Sequence, residues 1–189
     1  MDKTWQKWLV KRFQFSQQKQ LSQKDVLVFI YQQGYLYLVL IFITFVAGVN
    51  YANNLILGFC FLISAVLCIS FYLTFKQLHD LKIELIADDV GQVGHSVNLQ
   101  RYFQQQQLRP RYLYIKAGNQ LAKVYLNAAK QQFILPFYAE QRGKFDYPVI
   151  QIYSVYPFGL VRAWTYLYHQ HSAWVAPKAE VFSTENKYH

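Results

Sequence analysis

The chain has 189 residues, of which 53% are hydrophobic, 19% aromatic and only 15% charged, with a formal net charge of +9 at pH 7. The charged share lies well below the roughly 25% usual for soluble domains, and from Val26 to Phe75 there are 50 consecutive residues without Asp, Glu, Lys, Arg or His. That distribution excludes an ordinary soluble globular protein, a disordered chain and a disulfide scaffold, and points to a membrane protein with a soluble part.

Residues 1–25 read as a basic amphipathic segment. Trp5, Trp8, Leu9 and Phe13 share one helical face, while Lys3, Lys7 and Lys11 follow one another four residues apart. A helix of this kind lies in the headgroup layer with its apolar side down, which makes Trp5, Trp8, Lys7 and Lys11 the expected interface residues. Gln14 to Lys24 is rich in Gln, Ser and Lys and reads as a linker.

Residues 26–75 are too many for one span, which needs about 20 apolar residues, and are about right for two with a turn. Asn50-Tyr51-Ala52-Asn53-Asn54 supplies the turn, because asparagine favours such positions. The first helix is expected from about Gln33 to Val49, with a backward extension through Val26–Tyr31 open to it, and the second from Leu55 to Phe75. Tyr35, Tyr37, Tyr51 and Tyr72 suit aromatic belts. A cleavable signal peptide is a poor alternative, since 25 residues precede the apolar stretch and a second span follows it at once. Lys3, Lys7, Lys11, Arg12, Lys19 and Lys24 stand before the window, Lys76 and Lys82 stand after it, and the turn carries no charge. The positive-inside rule therefore expects both termini in the cytoplasm.

From residue 76 to 180 the pattern changes to alternation. Leu81–Leu85 places apolar residues on one side and charges on the other, as a half-buried strand requires. Val97 and Leu99 repeat the pattern, and further strand-like runs are 112–116, 121–126, 132–137, 147–153, 161–168 and 173–175. Turn signals separate them at Asp88-Asp89, Gly91, Gly94, Gln104–Pro110, Gly118-Asn119, Arg142-Gly143 and Pro157 with Gly159. The expectation is an all-β antiparallel sandwich following a two-helix transmembrane hairpin, with a tail at 181–189.

Chemistry is sparse. Cys60 and Cys68 both lie inside the second span, away from any zinc or disulfide pattern. His169-Gln170-His171 places two imidazoles on one strand face without the thiolates or carboxylates that would complete a metal site. Phosphate-binding glycine loops, the GxSxG elbow and HExxH are absent. Residues 76–189 carry 13 basic and 8 acidic side chains. The basic ones are scattered, which fits anionic headgroups better than nucleic acid. No catalytic residue, cofactor, metal or small-molecule substrate is expected.

Tyr156-Pro157-Phe158-Gly159-Leu160-Val161-Arg162-Ala163-Trp164 is the most distinctive soluble segment. Pro second and Gly fourth in Tyr156–Gly159 fit a type I turn. Trp164 is large enough to anchor a small core, and Arg162 is a surface residue by default, with bonds to turn carbonyls as the alternative.

Two of these segments resemble a known family. Asn50-Tyr51-Ala52-Asn53-Asn54 is similar to the N-Y-x-N-N junction of membrane-anchored bacterial DUF58 proteins, and Pro157, Gly159, Leu160, Arg162, Ala163 and Trp164 match their P-x-G-L-x-R-A-W run. Arg142-Gly143 before it and Ala176-Pro177 after it stand in the same order. The resemblance covers about residues 26–180, the amino-terminal part of such proteins. Members continue into a von Willebrand factor A-like region with an R-x-Y-x-x-G-D motif, and these 189 residues contain no such segment. The resemblance implies a bacterial inner-membrane location and work beside MoxR-type AAA ATPases and other membrane subunits.

The expected function is thus a non-enzymatic, inner-membrane anchored adaptor or scaffold that presents a cytoplasmic sandwich to protein partners. The alternative is a membrane-linked subunit of an enzyme complex whose catalytic residues come from a partner. Neither reading involves nucleic acid.

Overall fold

A computed structural model describes Lys7, Val10, Lys11, Phe13 and residues 18–177. Lys7, Val10 and Lys11 are helical and exposed, whereas Trp5 and Trp8 lie outside the described residues. The elements in chain order are β1 (Gln18–Gln20), a 3-10 turn (Gln23–Asp25), β2 (Leu27–Ile30), α1 (Gln32–Asn50), α2 (Asn54–Leu78), β3 (Leu81–Ala87), β4 (Val90–Gln92), β5 (Ser96–Gln105), β6 (Arg111–Ala117), β7 (Gln120–Leu126), β8 (Lys130–Tyr138), β9 (Gly143–Asp146), β10 (Ile150–Ser154), β11 (Val161–Leu167) and β12 (Ser172–Ala176).

The strands form three sheets: β1-β3-β5-β8, β2-β11-β10-β6-β7 and β4-β12-β9. All pairings are antiparallel except β4 with β12, so the all-antiparallel expectation is corrected at that one pair. Alternation decides what each strand buries. β3 and β5 turn Leu81, Ile83, Leu85, Val97, Leu99 and Phe103 inward, and β6, β10 and β11 answer with Leu113, Ile115, Ile150, Ile152, Ala163 and Leu167. Together with the small third sheet these residues make one apolar core.

The two helices interrupt this β-domain rather than preceding it. The sequence offers Val26–Tyr31 to the first helix as a backward extension, and instead Leu27–Ile30 is the strand β2, paired with β11 from Val161↔Ile30 to Trp164↔Leu27. A six-residue apolar run rich in Val, Ile and aromatics has no periodicity of its own, and an unpaired β11 edge captures it. The helical hairpin therefore occupies 32–78, not 26–75. Likewise the Gln14–Lys24 linker contains β1, which adds to the edge of β3. Phe13 is fully buried, its carbonyl accepts from the Tyr168 N–H and its ring meets Tyr166 edge-on at 5.9 Å, so it packs on the β-domain instead of facing headgroups.

α1 and α2 are 19 and 25 residues long, long and apolar enough to cross a membrane. Most of their side chains are not buried within the molecule, and Leu36, Phe42, Leu55 and Phe61 are exposed. The turn between them is tighter than Asn50–Asn54. Asn50 ends α1, Asn54 begins α2, and Asn53 alone caps α2, its side-chain oxygen accepting from Leu55 and Ile56 N–H at 2.9 and 3.3 Å. Gly48 lets the helices close, because a Cβ there would sit 2.7 Å from a Leu57 methyl.

Candidate interaction face and helix mount

The segment 155–160 was expected to be a type I turn, and the structure corrects this. The Tyr156–Pro157 peptide is cis, and the loop closes by Gly159 N–H donating to Val155 O at 2.8 Å, one residue longer than a β-turn. Gly159 sits at φ +71°, a conformation glycine adopts without penalty. The loop is held against the base of the helices. Thr74 Oγ1 donates to Tyr156 O at 2.9 Å and Tyr31 N–H donates to Leu160 O at 2.9 Å. Gly34 is buried there, and any Cβ would strike the Leu160 carbonyl and Ile30. Gly159, beside Gln33, and Leu160, against Tyr31 and Gly34, thus form the seat on which α1 stands.

Arg111 makes the matching seat for α2. It is fully buried at the start of β6 and donates to the carbonyls of Gln77 at 2.7 Å, His79 at 2.9 Å and Lys76 at 3.3 Å, and to Gln105 Oε1 at 3.0 Å. These are unpaired carbonyls of a helix end, where a cation is favoured. Gln77 returns the bond by accepting from Tyr112 N–H at 3.0 Å. Burial, with Arg109 nearby, lowers Arg111 to about 10 while Asp80 opposes the shift, so the side chain stays charged at neutral pH.

Parity along β11 overturns the expected role of Trp164. Val161, Ala163, Thr165 and Leu167 are buried, so Arg162, Trp164 and Tyr166 point outward and are half-buried. The core takes Val161, Ala163, Thr165 and Leu167 from this strand and is filled from the other sheet by β3 and β5, so it has no place for Trp164. Trp164 stacks on Phe29 of β2 at 5.4 Å. The Arg162 guanidinium carbon lies 4.0 Å from the Tyr153 ring centre and 5.7 Å from that of Trp164, so it is a stacked cation and not a bond to turn carbonyls. Tyr153 stacks on Tyr114 at 5.0 Å, Lys123 Nζ lies 5.8 Å over Tyr114, and Tyr112 meets Tyr125 at 4.8 Å and Tyr156 at 4.6 Å. Burial raises the Tyr153 hydroxyl pKa and Arg162 lowers it, with a net rise.

The result is a continuous aromatic and basic outer face on the five-stranded sheet. Register aligns Trp164, Tyr153, Tyr114 and Lys123 in one row and Arg162 with Phe29 in the next. Phe29, Tyr112 and Tyr125 are exposed. Of the residues singled out in the sequence, the structure brings Arg162 and Trp164 to this face and Pro157, Gly159 and Leu160 to its helix-proximal end. Asn50, Tyr51, Asn53 and Asn54 lie at the far tip of the helices. Arg142 is exposed, and Gly143, at φ +118°, opens β9. Phe29, Tyr114, Tyr153 and Arg111 were missed.

His169 and His171 do come together, with ring centres 5.5 Å apart. Among the described residues no group of three or more His, Cys, Asp or Glu could hold a metal ion. Cys60 is buried with its thiol 3.6 Å from Ile41 O, and Cys68 is exposed; both are free. In comparisons with known proteins, no family model and no curated protein matches the chain.

Proposed function

We propose that the protein is a non-enzymatic adaptor anchored in the bacterial inner membrane by α1 and α2, with both termini and the β-domain in the cytoplasm. The outer face of the five-stranded sheet carries the reading. Trp, Tyr and Arg are the residues that concentrate binding energy at protein interfaces, and here they form one patch next to the helix base. A patch of this kind is far more often a contact surface than idle exposure. The double seat supports the same reading, because each helix is bonded to the sheet beside it and the face is held at a fixed height from the bilayer. The resemblance of 50–54 and 157–164 to membrane-anchored DUF58 proteins makes a MoxR-type ATPase the first partner class to test. Lys7 and Lys11, exposed on their helical segment, fit contact with anionic headgroups.

Photo-reactive residues replacing Tyr114 and Tyr153 in native membranes test this directly. They should capture one protein in near-stoichiometric yield, and a control at Gln132 of the other sheet should not. Crosslinks to lipid alone, or equal capture from Gln132, would refute the adaptor reading. A cysteine at Asn53 labelled from the cytoplasm would refute the topology.

A further inference from the structure

The five strands beneath the aromatic face contain no Asp or Glu, whereas the other two sheets carry Glu84 and Asp146. Alternation turns Arg162, Lys123 and Lys116 to the outside of this sheet and Arg111 to the inside. Register distributes the three outward cations one to a row. Arg162 stands beside Phe29 in the row nearest the helix seat, Lys123 in the row of Trp164, Tyr153 and Tyr114, and Lys116 between Gln151 and Leu121 in the third. Lys116 and Lys123 are exposed diagonal neighbours on adjacent strands, about 7–8 Å apart by strand geometry. Ion pairs among the described residues are Lys19–Asp25, His79–Asp80 and Lys144–Asp146, and none of the three outward cations takes part in one. Arg162 also keeps Nε without a hydrogen-bond partner. The sheet thus collects positive charge on one side and answers none of it.

The rings on this face are engaged with one another. Tyr114 and Tyr153 lie 9° from parallel at 5.0 Å, Trp164 lies 29° from Phe29 at 5.4 Å, and the Arg162 guanidinium sits over the Tyr153 and Trp164 rings. Rings stacked across the strands in this way turn their faces to their neighbours and their edges outward. An aromatic edge carries partial positive charge. Edges and cations together suit carboxylates. Nucleic-acid bases need open ring faces to stack on, and here those faces are covered.

We infer that the occupant of this face is an acidic protein segment lying along the strands, its carboxylates meeting Arg162, Lys123 and Lys116 and its apolar side chains meeting the exposed Phe29, Leu121 and Tyr125. The inference rests on the reading of the face as a protein contact and adds the chemistry of the partner. Tyr166 stands six residues beyond Leu160, about 20 Å of strand, so the three rows offer the length of a short extended segment. Opposite charge speeds the encounter of such a segment and sets its register, while the apolar contacts supply holding energy.

The test uses the full chain in zwitterionic nanodiscs and two fluorescein-labelled probes of equal length, polyglutamate and single-stranded polythymidylate, read by anisotropy. Polyglutamate should bind, and Lys116→Gln with Lys123→Gln should weaken it at least about fivefold, the loss of two exposed ion pairs. Both lysines are exposed, so the core is untouched. Lys116→Arg with Lys123→Arg should keep the affinity. Lys82→Gln with Lys130→Gln removes the same charge from the four-stranded sheet and should leave binding within about twofold. Absence of polyglutamate binding, an equal loss in the two glutamine pairs, or a loss in the arginine pair would overturn the acidic partner. Polythymidylate bound as tightly as polyglutamate, and lost in the same variant, would assign the face to nucleic acid instead. Photo-crosslinking from Tyr114 and Tyr153 separates this failure from that of the underlying reading. Capture of a protein without polyglutamate binding would overturn the acidic chemistry alone, and capture of lipid alone would overturn the protein contact and the acidic partner with it.

Discussion

Replacing Arg111 with alanine removes four acceptor partnerships at once. The carbonyls of Lys76, Gln77 and His79 lose the cation bonded to them, and Gln105 Oε1 loses its Arg111 donor. Removing one partner of a buried charged network costs about 3–5 kcal/mol, since the groups left behind remain desolvated. That is a large fraction of the roughly 5–15 kcal/mol that holds a domain together. Arg111→Lys keeps the charge but not the planar fork and should recover only part of the loss. Urea unfolding of the full chain in micelles measures the cost, and hydrogen exchange at residues 76–80 should rise sharply in the alanine variant. A loss below about 1 kcal/mol, with exchange unchanged, would show that the helix end is held by something other than this guanidinium.

Trp164→Ala should cost about 1–2 kcal/mol, the worth of a half-buried aromatic pair, instead of the 3–5 of a core residue; a melt showing the larger loss would return the ring to the core. Gly34→Ala should destabilise the seat of α1 more than Gly58→Ala changes anything, because only the first Cβ meets a backbone carbonyl; equal protease resistance of the two variants would refute that packing. Asp25 accepts from Ser22 N–H and hydroxyl and pairs with Lys19 at 2.6 Å. Burial alone would raise its carboxyl, but Lys19 and Ser22 outweigh this and hold it below the ordinary 3.8. A depressed carboxyl stabilises the fold above its unfolded pKa and loses that contribution as pH falls through the folded value. The gap in stability between the native chain and Asp25→Asn should therefore be full at pH 7 and close below 3.8. A gap that persists in acid would assign it to packing.

Long alternating segments were legible because period 2 is a strong signal: 81–85, 112–116 and 121–126 all lie inside observed strands. The helices were legible from the absence of charge. Short edge strands were not. Gln18-Lys19-Gln20 has no apolar side to detect, and β4 and β9 are three and four residues held by neighbours far away in sequence. Trp164 is the instructive error. Its size suggested burial, but it shares parity with Arg162, and a strand that turns Arg162 outward turns Trp164 outward too. The same parity places Arg101 with Leu99 and Phe103, so the inward charge was written in the alternation of β5. Nothing local marks Arg111 as a helix clamp, because its acceptors lie 32 to 35 residues earlier in the chain.

Inserting the helices between β2 and β3 has a mechanical consequence. α1 leaves from the five-stranded sheet and α2 returns into the four-stranded one, so the hairpin joins the two sheets that enclose the core. A change in the spacing of the helices at their base would slide one sheet over the other. Arg111 and the 155–160 loop oppose this, since Arg111 bonds α2 to β6 and Thr74 bonds α2 to the loop that leads into β11. Both ties run from α2 to the five-stranded sheet, the sheet it does not continue into. They complete a closed frame from α1 through β2, β11, β10 and β6 back to α2. A core packed at organic-crystal density resists such sliding in small steps. The aromatic face is built on this framed sheet, so its position relative to the helix base is fixed by the same ties.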